Sequence, residues 1–163
     1  MKNNIIKTLS LIVAIGIITS CEQDDPEVEL AAVNNLSGEW FIQYEYEDNG
    51  AWVNPGWGHY KVITSNTAAN LESEMMINDQ DGWGIQYKVN VNGLTFSANG
   101  TADLVGGTSD VTVTNGLIIQ KGGFSTSGVV TDSIAFEFTQ PNDDPTLYRA
   151  SGVRRTGFLE DEH

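Results

Sequence analysis

From Trp83 onward the chain alternates. Trp83, Ile85, Tyr87, Val89 and Val91 share one face of an extended segment, and Gly84, Gln86, Lys88 and Asn90 share the other. This is the period of two that marks a half-buried strand. Leu94, Phe96 and Ala98 continue the pattern after Asn92-Gly93, Val111 and Val113 form another short run, and Ile134, Phe136 and Phe138 form a later one. Asn-Gly pairs at 49–50, 92–93, 99–100 and 115–116, with Asp-Gly at 81–82, can each supply the positive φ of a hairpin turn. The pattern predicts about nine strands, near 36–46, 57–64, 71–77, 83–91, 94–98, 110–114, 117–124, 133–139 and 147–154, in a meander or Greek key. Met75 and Met76 fall on opposite faces of theirs, so only one of them points inward. The fold class is all-β and antiparallel. A closed barrel, which removes exposed strand edges, is consistent with this alternation, and an open sandwich is the other architecture.

The start of the chain has a different pattern. Lys2 and Lys7 precede an apolar run from Thr8 to Ile18, about half of the ~20 residues that a membrane-spanning helix requires. The run ends in Ile18-Thr19-Ser20-Cys21, which resembles the lipobox of bacterial lipoproteins. Residues 1–20 are thus read as a signal peptide and Cys21 as the site of lipid attachment. Residues 21–35, rich in acid from Glu22 to Glu29, form a tether, and 36–163 form the folded domain. Acidic residues directly behind the lipidated cysteine resemble the signal that carries Bacteroidetes lipoproteins to the outer face of the outer membrane. A lipid-anchored position at the cell surface is the expectation.

Cleavage leaves 143 residues, enough for one core. It also removes two of the eight basic residues, leaving six against 22 acidic ones, a formal charge of −16. Such a surface repels polyanions, and Arg154-Arg155 is the one short basic pair, so nucleic acid is not an expected partner. With one cysteine the chain has no internal disulfide. No metal or cofactor is expected either. Asp79-Gln80-Asp81-Gly82 fails as a calcium loop, because aligning Gly82 with the invariant glycine places Ile77 and Lys88 where ligands belong; a hairpin turn is the better reading. Asp143-Asp144, between Pro141 and Pro145, reads as another loop.

Gly38-Glu39-Trp40 at the first strand resembles the Gly-x-Trp signature of lipocalin-like barrels. That resemblance implies that Trp40 plugs one end of an eight- to nine-stranded barrel beneath an arginine from the last strand. Arg149, Arg154 and Arg155 are the available arginines. Leu36–Trp40, Asn66–Asn70, Lys88–Val91, Thr131–Ile134 and Ser151–Phe158 look more specifically like the Bacteroidetes lipoprotein family labelled lipid-binding putative hydrolases. The resemblance implies a lipocalin-like domain and a lipid-binding role, and brings no set of catalytic residues.

The residues themselves give hydrolysis little support. Gly123–Gly128 lacks the Gly-x-Ser-x-Gly elbow, and His59 is the only histidine away from the terminal His163 on which a triad could be built. Binding has the clearer signal. Trp52, Trp57 and Tyr60 surround Asn54-Pro55-Gly56, while Trp83 and Tyr87 lie on the strongest amphipathic segment. Flat rings of this kind can cover an acyl chain or stack on a sugar. The expected function is binding of a small lipophilic or amphipathic molecule in a barrel cavity. A hydrolase of ester or glycosidic bonds and an accessory glycan-binding protein of a surface uptake system, with uptake proteins as partners, are the alternatives.

Replacing Cys21→Ala should release the domain from membranes without unfolding it, because Cys21 precedes the folded region. Retention of that variant in the membrane fraction after a carbonate wash would remove the lipid-anchor reading.

Overall fold

A computed structural model describes residues 30–106, 110–140 and 146–163. Cys21, the signal peptide, most of the tether and Asp143-Asp144 lie outside the described residues. The strands are β1 (Gly38–Asp48), β2 (Ala51–Val53), β3 (Tyr60–Asn66), β4 (Glu74–Asp79), β5 (Gln86–Asn92), β6 (Thr95–Ala102), β7 (Asp110–Phe124), β8 (Val130–Thr139) and β9 (Tyr148–Arg154). Each pairs antiparallel with its neighbours in an up-and-down order, and β1 pairs with β9 to close the sheet. The result is an eight-stranded barrel, with β2 as an extra strand. β2 and β3 lie on the same edge of β1, facing its second and first halves, and residues 54–59 loop out between them. The lower end of the barrel is defined here by the start of β1, the upper end by its finish.

Five turn signals divide into two kinds. Asn49-Gly50, Asp81-Gly82 and Asn92-Gly93 make turns between strands. Asn99-Gly100 and Asn115-Gly116 instead fall inside β6 and β7, at register shifts between the two. The predicted strands 110–114 and 117–124 are therefore one strand. Asn115 takes up φ 54°, and a Cβ on Gly116 would stand 2.3 Å from the Phe96 carbonyl oxygen, so the pair serves close approach across the sheet rather than chain reversal. The shift also changes which residues face inward. Val111 and Val113 are buried and so is Ile118, while Leu117 and Ile119 face outward. At the front of β5, Trp83 and Ile85 precede the strand proper, in a loop that nevertheless carries them to the inner side.

The interior is filled by side chains from every barrel strand. Trp40, Ile42, Val62, Met75, Ile77, Val111, Val113 and Ile118 are fully buried, and Tyr87, Val89 and Ile134 are nearly so. Val33 and Leu36 cover the lower end from the turn that precedes β1, so packing begins before residue 36. There the Trp40 indole N–H donates to Thr64 Oγ1 at 2.8 Å, and Thr64 donates in turn to the Leu36 carbonyl. The Arg154 guanidinium lies 4.7 Å from the centre of the Trp40 ring. It donates to the carbonyls of Ser37 (2.5 Å) and Asn35 (3.1 Å) and pairs with Asp132 at 3.2 Å. The other two arginines are engaged elsewhere, Arg149 with Glu45 and Arg155 with Glu39 and Glu162.

After β9 the chain turns back along the outside of β1. The Arg155 N–H donates to the Glu39 carbonyl at 2.8 Å, and His163 meets Phe41 edge-on at 4.9 Å. Asp161 fastens this tail to the β7–β8 hairpin, accepting from the Ser127 N–H at 2.6 Å, the Ser127 hydroxyl at 3.0 Å and the Thr156 hydroxyl at 2.6 Å. Burial raises the pKa of the Asp161 carboxyl, but these hydrogen bonds, with one from Ser125, outweigh it and hold the group at about 2.

Two outcomes follow from the closing seam and the tail. A Cβ at Gly152 would lie 1.9 Å from the Phe41 carbonyl oxygen, in the backbone of the closing strand pair. Gly152→Ala should therefore destabilise the barrel by about 1–3 kcal/mol or more, read as a lowered midpoint in thermal or urea unfolding; an unchanged midpoint would contradict the seam geometry. The stabilisation from Asp161 is present above the ordinary carboxylate value of 3.8 and is lost as pH falls through about 2. Melting temperatures of the native chain and of Asp161→Asn should accordingly differ at neutral pH and converge on acidification across that window.

Candidate functional site

The upper end is closed by rings rather than by a single plug. Tyr44 comes from β1, Tyr60 from the start of β3, Trp83 from the β4–β5 loop, Phe138 from the end of β8 and Tyr148 from the start of β9. Trp83 is central, with its ring centre 4.8 Å from Tyr44, 5.3 Å from Phe138, 4.7 Å from Tyr148 and 6.4 Å from Trp57. Tyr44 and Tyr60 lie 5.3 Å apart. Above them opens a cleft of about 260 Å³ lined by Tyr44, Trp57, Tyr60, Gly82 and Trp83. Its volume falls just below the ~300–1,000 Å³ usual for drug-sized ligands. A headgroup or a short apolar segment fits; a long chain must extend outward.

The β4–β5 loop that presents Trp83 is organised by one carboxylate. Asp79, only 3% exposed, accepts from the Gly82 N–H at 2.8 Å and the Trp83 N–H at 2.9 Å, and from the Tyr44 hydroxyl. A side chain at Gly82 would collide with this carboxylate, its Cβ standing 2.5 Å from Oδ2. Desolvation raises the pKa of Asp79 despite these three donors, with Asp81 adding a smaller push in the same direction. Tyr44 is raised well above its ordinary value, first by burial and then by the charge of Asp79, so it remains a neutral hydrogen-bond donor. The Asp79–Gly82 segment is thus a carboxylate-capped turn.

Of the residues singled out from the sequence, Trp57, Tyr60 and Trp83 meet in the cleft. Trp52 does not join them; it lies against Arg149, whose guanidinium carbon is 4.6 Å from its ring centre. Tyr87 points inward at 1% exposure and belongs to the packed interior beneath the cleft. Tyr44 was not singled out, yet it lines the cleft and couples it to Asp79. Its signal lay in Trp40, Ile42, Tyr44 and Tyr46, which share the inner face of one strand.

His59 lies away from the cleft, on the outer wall, stacked on His163 at 3.8 Å. Burial and the neighbouring imidazole lower its pKa. The two rings border a second, more polar groove of about 390 Å³ under the β7–β8 hairpin, with Phe41, Ser125, Ser133 and Ser151 among its walls. Here the Thr126 hydroxyl lies 3.3 Å from His163 Nε2. Among the described residues, no three His, Cys, Asp or Glu side chains gather as metal ligands, and no helix is long and apolar enough to cross a membrane.

No curated protein matches the chain. Among solved structures, it is similar to a crystal structure of a structural-genomics protein of unknown function from Bacteroides ovatus, at 14% identity and a TM-score of 0.49, over 78% of this chain and 43% of that one. This chain therefore spans less than half the length of that protein. A family model described as lipid-binding putative hydrolase matches residues 25–159, nearly the whole of the folded barrel and the approach to it. The chain belongs to the family of lipid-binding putative hydrolases.

Proposed function

We propose that this protein is a lipid-anchored surface lipoprotein that binds an apolar or amphipathic small molecule at the aromatic upper mouth of its barrel. The observation that carries the reading is the contrast between a filled interior and the cleft formed by Tyr44, Trp57, Tyr60 and Trp83. Membership of a lipid-binding family supports the class of ligand. The lipobox-like Ile18-Thr19-Ser20-Cys21 and the acidic stretch after it support the anchor and its outward-facing location. With the interior occupied, the ligand rests on the mouth and an attached chain runs outward over Trp57, which is 49% exposed.

A hydrolase is the second reading, favoured by the hydroxyl–imidazole contact of Thr126 and His163 beside His59. An active site there would be on the opposite side of the barrel wall from the aromatic mouth. The two readings therefore separate by mutation.

Mass spectrometry of the purified protein should reveal a copurifying lipophilic molecule, and a fluorescent lipid probe should bind. Trp57→Ala should weaken the probe about tenfold, on the scale of one large aromatic contact, with little effect on melting because the ring is half exposed. His59→Ala should leave binding unchanged. If no lipid probe binds and His59→Ala or Thr126→Ala abolishes a measured esterase activity, the hydrolase reading replaces this one.

A further inference from the structure

The upper mouth has the construction of a cation receptor. Among the described residues, its lining consists of four aromatic side chains and one glycine, with no lysine, arginine or histidine. The rings stand at steep angles, Tyr44 to Trp83 at 73° and Trp57 to Trp83 at 73°, and thus form walls of a box rather than a flat stack. Ring faces that line a cleft present negative charge to whatever enters, Trp57 the most openly at 49% exposure and Tyr44, at 3%, the least. Behind the wall stands the buried Asp79 carboxylate, held in place by the N–H groups of Gly82 and Trp83.

Among the described residues that line the cleft, no cationic side chain is offered to an anionic headgroup. The two backbone N–H groups nearest the cleft, those of Gly82 and Trp83, already donate to Asp79. Tyr44 donates there too. A carboxylate or phosphate ligand would approach Asp79 and Asp81 within a chain of formal charge −14, with those donors already engaged. A neutral ligand would gain only area.

We propose that the mouth binds amphiphiles through a cationic headgroup of the quaternary or alkylated ammonium type, held by cation–π contact with Tyr44, Trp57, Tyr60 and Trp83. This rests on the reading of the mouth as the binding site and narrows it to one headgroup chemistry. A quaternary group has no N–H to satisfy and a diffuse charge, which suits a site walled by rings. The same head occurs on lipids and on free small cations, and the length of the attached chain distinguishes them.

The test uses the purified full chain and isothermal titration with four probes. These are decyltrimethylammonium, an uncharged chain of equal length ending in a tert-butyl group, decanoate, and tetramethylammonium alone, all below their micelle-forming concentrations. The cationic chain should bind about tenfold more tightly than its uncharged counterpart, and decanoate should bind weakest. Tetramethylammonium binding as tightly as the long cation would identify a free small cation as the ligand; a clear gain from the chain would identify a lipid head. Tyr44→Phe keeps the ring but removes the hydroxyl link to Asp79, and should reduce the preference for the cation over the uncharged probe. Asp79→Asn should do the same; if that variant melts early, Tyr44→Phe and Trp57→Ala retain the test. Equal binding of the charged and uncharged chains, lost in Trp57→Ala, would overturn the headgroup assignment and leave the mouth as a lipid site. Tightest binding of decanoate would overturn it as well. If none of the four binds, both the assignment and the mouth reading fail.

Discussion

Seven residue pairs between β1 and β9, from Trp40–Arg154 to Tyr46–Tyr148, turn an up-and-down meander into a barrel. The rest of the structure depends on that seam. Closure leaves the inner side chains of eight strands no outlet except one another, so Trp40, Ile42, Met75, Ile77 and Tyr87 meet in a single packed interior. It also requires a glycine at 152, where backbone passes so close to backbone that a methyl group has no room. Once the interior is full, a ligand can reach the protein only at an end or on the outer wall. The position of the cleft is thus a consequence of packing.

The two ends use the same chemical components in opposite ways. At the lower end the face of Trp40 is covered by the protein's own cation, the Arg154 guanidinium, whose other hydrogen bonds go to Ser37 and Asn35. That end is complete in itself. At the upper end a group of rings of similar size is backed by a carboxylate, Asp79, and among the described residues no cationic side chain lines the cleft. A ring face with an arginine on it is a closed structural joint, whereas ring faces with a carboxylate behind them and solvent in front are an electrostatic invitation. Burial of Asp79 in a low-dielectric setting extends its influence through Tyr44 to the cleft wall.

The alternation of large and small positions made the sheet legible, because a period of two fixes the face each residue occupies. It identified the inner faces of β5 and β8 and put Met75 and Met76 on opposite faces of β4, of which the structure buries Met75. It could not tell a turn from a bulge. Asn92-Gly93 and Asn115-Gly116 are the same dipeptide with the same positive-φ capacity, and only the partner strand decides which reverses the chain. Depth was equally hidden. Tyr87 and Trp83 share a face, but one is sealed beneath the core and the other lines the cleft, since the loop after Asp79 lifts Trp83 toward the rim. Asp79 looked like a turn residue of no further consequence because nothing local shows that Tyr44, 35 positions earlier, donates to it.

The match to the family model spans residues 25–159, frame and mouth alike. In the Arg154–Phe158 segment, Arg154 covers Trp40, Arg155 joins Glu39 to Glu162, Thr156 donates to Asp161, and Gly157 takes up φ 80° so that the tail can double back. Each is an architectural role, and none touches the aromatic mouth. A barrel sealed below and doubled over along one wall can keep its frame fixed while the loops at 54–59 and 80–85 change the rings they present. Those loops are joined to the frame through Asp79, through the Lys61 carbonyl that accepts from the Gln80 N–H at 3.2 Å, and through the packing of Trp83 on Tyr44, Phe138 and Tyr148. The frame alone does not determine the ligand. What determines it in this chain is which rings line the cleft and which charge stands behind them.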